Sequence, residues 1–517
     1  MFKKFPFHTF LLAIYIPLAL FASNLGEIKP VTTYRLLLAL TIVSAAVLLL
    51  INIFIRDWRK SGLITSLIVF FFSVYGSLYS FLKNPAVFGG ALGHHRVVVF
   101  MVLALLAVFS WLVIKKFRHL LEITLLVNLF SFYLILMPAV QIALFTFKNN
   151  KITNAQASYE KITSQATTFQ GDLPDIYHIV LDSYQRQDFL KSSYDYDNSK
   201  FIQFLKDSDF YAAGCSRSNY AHTFLSISST MNMTYVQDFM TPETLTEPAL
   251  KDALVHSQVR TRLTDLGYQI VAFDNVHWDY SDADVFYKFK IDPILNPYLF
   301  PVESVYIDNS ALKIVKDFSR PFEQGVTTLS SSAVKDHYLQ QKYILDSIDE
   351  SVTLTSPKYI FGHVEKPHGP FVFEPDGAFI EEDAYYRDKY FSAINKEYDR
   401  LGNIKQVEYL NRRMIRLVNE IKKADKDAII IIHSDHGLLE NEILNGRLAN
   451  LVAIYFPDKD YSGLYPTMTP INIFRIVLDK YFSAGLGLLQ DHSYYSYRED
   501  KMEYFPIEEN MPGCIEQ

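Results

Sequence analysis

Cysteine is nearly absent: the 517 residues contain two, Cys215 and Cys514. A disulfide scaffold and a cysteine-rich zinc module are both excluded, and a single Cys215–Cys514 bridge is the most the chain can form. Acidic residues are scarce in the first 149 positions, where Glu27, Asp57 and Glu122 face 13 Lys and Arg. Residues 150–517 reverse the balance, with 53 acidic and 36 basic side chains. That acidic surplus argues against nucleic-acid binding, since phosphate backbones demand cationic partners. Disorder is excluded by 40 Phe and 34 Tyr. Two regions of opposite charge imply two environments, and the length suggests two to four domains.

What residues 1–149 have is long apolar runs, near 8–23, 34–55, 63–82, 97–114 and 120–147. About 20 apolar residues in a helix cross a bilayer, so this region reads as a membrane domain of five spans. The first run is the shortest, contains Pro17 and has the length of a signal peptide. It lacks a good small-residue cleavage site and four more runs follow, so it reads as an uncleaved span. Basic residues set the orientation. Lys3, Lys4, Arg56, Arg59, Lys60, Lys115, Lys116 and Arg118 lie on one side, against Lys29, Arg35, Lys83 and Arg96 on the other. The N-terminus is therefore expected in the cytoplasm and residues 150–517 outside the plasma (inner) membrane. A four-span chain with a cytoplasmic C-terminal domain would contradict that charge count. A polar connector spans 150–173, and Ala155–Ala166 within it suits a short surface helix.

Residues 174–517 alternate short apolar runs (Ile176–Leu181, Tyr268–Phe273, Tyr359–His363, Ala428–His433, Leu451–Phe456) with helical patterns such as Lys200–Lys206 and Val407–Lys422. Fully apolar strands alternating with helices predict an α/β domain with a mostly parallel sheet covered on both faces. Ligands of such sheets bind beyond the carboxyl ends of the strands.

Two strands end in metal-ligating residue types. The first run stops at Asp182, and the fourth runs into His433-Ser434-Asp435-His436-Gly437. Carboxylates and imidazole at neighbouring strand ends suit Zn or Mn, although Asp at such places also serves as a cap or turn residue. Between them, Tyr220-Ala-His222-Thr223 reads as a loop entering a helix. A hydroxyl there meets backbone N–H groups that cradle phosphate, and a neighbouring metal would make Thr223 a nucleophile; N-capping is the commoner use of such a residue.

Asp182 after a strand, Thr223 in Tyr220-Ala-His-Thr, Pro367-His368-Gly-Pro370-Phe and Ser434-Asp435-His436-Gly437 together resemble the alkaline phosphatase/sulfatase superfamily. The spans ahead of them resemble its membrane branch, which includes lipoteichoic acid synthase and the phosphoethanolamine transferases. That resemblance implies an alkaline-phosphatase-like fold and one divalent metal held by Asp182, Thr223, Asp435 and His436, with Thr223 as nucleophile. It implies that His368 binds substrate or serves the leaving group, and that His363, at a strand end, also faces the site. The branch usually has Glu where Asp182 stands. Several relatives have a second histidine after the Asp-His-Gly motif, whereas Leu438–Ala453 contains none. Sulfatase chemistry proper is disfavoured, because Cys215-Ser-Arg217 lacks the C/S-x-P-x-R pattern.

The expected activity is transfer of a phospho-substituent, of phosphoethanolamine or phosphoglycerol type, from a phospholipid donor to an envelope glycan, lipid or polymer through a phosphothreonine. Hydrolysis by a phosphodiesterase, phosphatase or sulfatase-like enzyme shares the first half-reaction, and a catalytically silent envelope protein is the third reading.

Overall fold

The computed structural model describes residues 5–25, 30–87, 90, 92–156, 173–275, 277–290, 300–319, 332–380, 396–438, 444–498 and 501–507. Its first helices are α1 (His8–Ala22), α2 (Tyr34–Ile55), α3 (Trp58–Lys83), α4 (His95–Lys115) and α5 (Leu120–Gln156). Then come α6 (Gln187–Tyr194), α7 (Ser199–Asp207), α8 (Thr223–Asn232), α9 (Val236–Phe239), α10 (Glu247–Val255) and α11 (Gln258–Asp265). The rest are α12 (Pro301–Asn309), α13 (Leu312–Ser319), α14 (Ser332–Ser351), α15 (Lys396–Ala424), α16 (Leu444–Leu448) and α17 (Ile473–Phe482). Strands are β1 (Ile176–Leu181), β2 (Tyr211–Ala212), β3 (Gln269–Phe273), β4 (Val285–Tyr287), β5 (Lys358–Val364), β6 (Ile429–His433), β7 (Val452–Tyr455), β8 (Tyr494–Tyr495) and β9 (Phe505–Pro506). Two compact units result: residues 1–148 with 291–333, and residues 149–290 with 334–517.

In the helical unit, α2 to α5 are long and apolar enough to cross a membrane. The 15 residues of α1 rise only about 22 Å, short of a hydrocarbon core of about 30 Å. The first of the five runs in the sequence reading, 8–23, is this shorter helix, and the other four have the length to cross. Large apolar side chains stand exposed along α2, α4 and α5, including Phe54, Phe100 and Phe147. One end of the bundle is closed by Ile55 of α2, Leu63 and Ile64 of α3, Val113 of α4 and Leu120 of α5. The other end receives α12 and α13, which come from far along the chain. There Leu36 of α2 packs with Phe300, Val302 and Tyr306, and Ile16 and Leu20 of α1 lie against them. Gly76 is required by this docking, because a Cβ there would collide with the Asp308 carbonyl. The surface helix expected at Ala155–Ala166 falls almost wholly outside the described residues, as does Cys514.

The second unit is built on a seven-stranded mixed sheet in the order β2-β7-β6-β1-β5-β3-β4. The five strands β6, β1, β5, β3 and β4 are mutually parallel, and β7 runs antiparallel between β6 and β2. The expectation of a mostly parallel sheet thus holds for its centre, and the antiparallel β7, next to the β2 edge, breaks it. β1, β5 and β6 are buried at every position, as a sheet covered on both faces requires. Period-two alternation divides them between two apolar layers. Ile176 and Val180 join Phe361 and Ile431 on the face under α8 and α17, while Ile179 and Leu181 join Ile360 and Ile430 on the face under α15. Because β1 is flanked by β5 and β6 in parallel, three carboxyl ends open on one edge.

Candidate active site

Parallel register brings the strand-end residues into one place. Val180 pairs with His363 on one side and with His433 on the other, so Asp182 and Asp435 follow two residues beyond that row. Ligand atoms of Asp182, His363 and Asp435 lie within 4.8 Å of one another, and all three residues are buried. The Ser183 backbone N–H donates to Asp435 Oδ1 at 3.0 Å and the His436 N–H to the same oxygen at 2.8 Å. The Ser183 hydroxyl donates to Asp182 Oδ1 at 2.7 Å. Each carboxylate is therefore fixed in orientation.

The two carboxyl groups titrate apart. Burial acts to raise Asp182, but His368, His436, His363 and the Ser183 hydroxyl outweigh it and hold the group well below the ordinary carboxylate range. Asp435 is pushed well above that range by burial and by the neighbouring Asp182 charge. Two buried carboxylates that cannot both ionise comfortably either share a proton or take up a cation. Asp435 Oδ2 is buried with no hydrogen-bond partner among the described residues, which leaves it open to a cation.

The flanking histidines face this point with opposite chemistry. His436 Nδ1 lies 2.8 Å from the Gly437 carbonyl, so that nitrogen carries the proton and Nε2 keeps its lone pair. Nε2 is 3.1 Å from Thr223 Oγ1 and 3.4 Å from Asp435 Oδ2. Burial lowers the pKa of this histidine well below its ordinary value. His363 is the reverse case. Asn275 Oδ1 accepts the His277 backbone N–H at 2.8 Å, so its amide nitrogen faces His363 Nδ1 at 3.0 Å. His363 Nδ1 must then accept, and Nε2 bears the hydrogen. That Nε2 is buried with no hydrogen-bond partner among the described residues, and burial lowers the pKa of the ring. His363 thus offers an N–H to an anion, while His436 offers a lone pair to a cation.

Thr223 is the first residue of α8, as expected from sequence. The His222 side chain does not cap that helix; its Nε2 lies 2.8 Å from the Ser496 carbonyl. Ser226 Oγ donates to the Asp435 carbonyl at 2.6 Å and locks α8 to the end of β6. His368 is half-buried in the loop after β5. Its backbone N–H donates to the Asp182 carbonyl at 3.2 Å, and the buried Lys366 ammonium holds the loop through the His368 and Pro370 carbonyls, each at 2.9 Å. Arg186 is committed to Asp188 and the Ser216 carbonyl.

Four contributors escaped the sequence reading. Ser183 and Lys366 stood next to or near recognised motifs but were assigned no role. Asn275 follows β3, whose place beside β5 is a tertiary fact. Arg447 on α16 donates to the carbonyls of Ala221 and Gly437, joining the Thr223 loop to the Asp-His-Gly turn. Gly437 is needed for close packing, since a Cβ there would strike the Gly446 carbonyl.

No protein-family model and no curated protein matches this chain. Some solved structures are similar to it at low sequence identity. They include the C-terminal periplasmic domain of EcEptC from Escherichia coli in complex with Zn, at 10% identity and TM-score 0.42, covering 67% of this chain and 95% of that one. The integral membrane lipooligosaccharide phosphoethanolamine transferase A from Neisseria meningitidis is 12% identical, with TM-score 0.38, covering 92% and 95%. The phosphonate monoester hydrolase of Agrobacterium radiobacter is 12% identical, with TM-score 0.38, covering 62% and 75%.

Proposed function

We propose that this chain is a membrane-anchored, metal-dependent transferase that moves a phospho-substituent from a phospholipid to an envelope glycan, lipid or polymer. The observation that carries the reading is the Thr223 hydroxyl, 3.1 Å from a histidine lone pair at a helix start, beside two buried carboxylates. Asp182, Thr223, Asp435 and His436 are the residues that would hold one divalent metal, Zn or Mn. Bound there, it supplies the positive charge that lowers the hydroxyl's pKa and offsets charge on phosphoryl oxygens.

The chain's own groups supply the rest. His363 Nε2–H and the first N–H groups of α8 donate to phosphoryl oxygens. Thr223 Oγ1, its proton lost to water, attacks phosphorus, the bond from phosphorus to the glycerol oxygen breaks, and diacylglycerol leaves with a proton from His368, which water then restores. An acceptor hydroxyl then attacks the phosphothreonine, and its proton returns to Thr223. Five spans with the N-terminus in the cytoplasm would set this chemistry outside the plasma membrane. The docking of α12 and α13 supports that topology, because they meet the bundle end bearing Arg35 and Lys83, the side poorer in basic residues.

Brief exposure of the full chain to headgroup-labelled phospholipid, followed by peptide mass analysis, tests the reading. An adduct on the Thr223 peptide is expected; one on Ser226 or Ser216 would move the nucleophile and overturn it.

A further inference from the structure

Residues 300–319 lie between two stretches of the sheet-bearing unit, yet they fold with the membrane helices. Polar contacts fasten them. Arg35 of α2 grips Glu303 through two bonds, Nε to Oε1 at 2.7 Å and a second nitrogen to Oε2 at 2.5 Å. Tyr306 meets Ser73 of α3 at 3.1 Å, and the Ala311 N–H donates to the Phe72 carbonyl at 2.7 Å. Asp317 of α13 meets His95, the first residue of α4, at 3.0 Å. All these partners lie towards the same end of the bundle.

α13 presents two faces. Ile314 packs against the cluster of Tyr75, Tyr79 and Val98, and the Lys313 ammonium sits 6.0 Å over the Tyr79 ring. Leu312, Val315 and Phe318 are 38%, 60% and 66% exposed. At 100° per residue, positions i, i+3 and i+6 fall within one 120° arc, so this is a single apolar stripe. An exposed stripe of Leu, Val and Phe in an aqueous setting would be left uncovered at a cost. Its surroundings identify the cover. The Phe318 ring lies 5.8 Å from that of His95, so the stripe continues into the start of α4, whose Phe100 and Leu103 are themselves exposed apolar side chains. Lys313 and Lys316 border the stripe, paired with Asp317 at 3.8 Å and Asp308 at 2.7 Å. An apolar face with lysines at its margin suits the boundary between acyl chains and headgroups.

We infer that α13 is an in-plane membrane-interface helix whose Leu312–Val315–Phe318 stripe is covered by the acyl chains of the leaflet at that end of the bundle. The occupant is lipid, and the element comes from within the sequence of the sheet-bearing unit. The inference rests on the reading of α2 to α5 as membrane spans.

The full chain is reconstituted in bilayer nanodiscs containing a phospholipid with a diazirine in the upper acyl chain, irradiated, and digested for peptide mapping. Lipid label is expected on the peptide containing Val315 and Phe318 as well as on the α4 peptide containing Phe100. The pair Val315→Asp and Phe318→Asp should lose the first label and keep the second. Label on α4 with none on the wild-type α13 peptide would overturn the inference, as would cross-links between copies through Lys313 in place of lipid label. Absence of label on α4 too would instead defeat the membrane reading itself.

Discussion

His178 and His433, on neighbouring parallel strands, meet Nε2 to Nε2 at 2.8 Å inside the apolar layer beneath the site. The chain of bonds fixes both tautomers. His433 Nδ1–H donates to the Ser434 carbonyl at 3.0 Å, so its Nε2 accepts from His178 Nε2–H, and His178 Nδ1 accepts from the Tyr359 hydroxyl at 2.9 Å. Burial first, and then the neighbouring His433, hold His178 well below its ordinary pKa.

The sign for stability follows. With the folded pKa of His178 lowered, only the unfolded chain takes up its proton as pH falls below about 6.5, so the native state loses up to about 1.4 kcal/mol per pH unit from this group. His178→Phe should flatten the acid side of a melting-temperature profile between pH 7 and 5. At pH 7 it should cost about 1–3 kcal/mol, because His433 Nε2 loses its donor. Parallel profiles for variant and wild type would contradict the assignment.

Thr223→Ala removes both the attacking oxygen and one proposed metal ligand, and activity towards a phosphodiester should fall by at least about 100-fold. Thr223→Ser keeps the oxygen and should retain measurable turnover. Because the hydroxyl sits at the start of α8 and outside the apolar layers, neither change should move the melting temperature much.

Asp435→Asn separates metal binding from folding. The amide oxygen can still accept from the Ser183 and His436 N–H groups, while the repulsion with Asp182 disappears. A carboxyl whose folded pKa is raised contributes stability below its unfolded pKa and loses it as pH rises through the folded value. The metal-free variant should therefore melt at or above the metal-free wild type at neutral pH, yet bind no stoichiometric Zn or Mn. A lower melting temperature together with full metal occupancy would refute both the coupling and the ligand role.

Asn275 sets which nitrogen His363 turns towards the site. His363→Ala should weaken substrate binding and leave metal content unchanged, since Nε2 carries a hydrogen. Asn275→Asp should reverse the tautomer, with the carboxylate accepting from Nδ1–H and the Nε2 lone pair facing the carboxylates. Raised KM for the phosphodiester and tighter metal retention are expected, both measurable on the same preparation. Loss of metal on His363→Ala would instead make His363 a ligand.

Much of the site was legible because it sits where apolar runs stop. The runs ending at Leu181 and His433 matched β1 and β6, and in a parallel sheet their ends must share an edge. Thr223 was legible from a polar loop entering an apolar helix. The roles of Asn275 and Arg447 depend on which strands and loops become neighbours, which no local pattern carries. β4 and β2 are too short, at three and two residues, to show a period. α12 and α13 escaped for another reason: their partners stand more than 200 positions away, and an eight-residue helix gives two turns of pattern at most.

The grip of Arg35 on Glu303 joins residues 268 positions apart, and that separation has a consequence for biogenesis. When α5 leaves the ribosome, the bundle end beside Gly76 still awaits its last two helices, and Arg35 has not met its carboxylate. Completion waits until some 150 further residues have been made and folded back. Excision of the sheet-bearing unit as one continuous piece would carry Phe300, Tyr306 and Ile314 into water without their seats. An isolated version of that unit should behave better with residues 291–333 replaced by a polar linker.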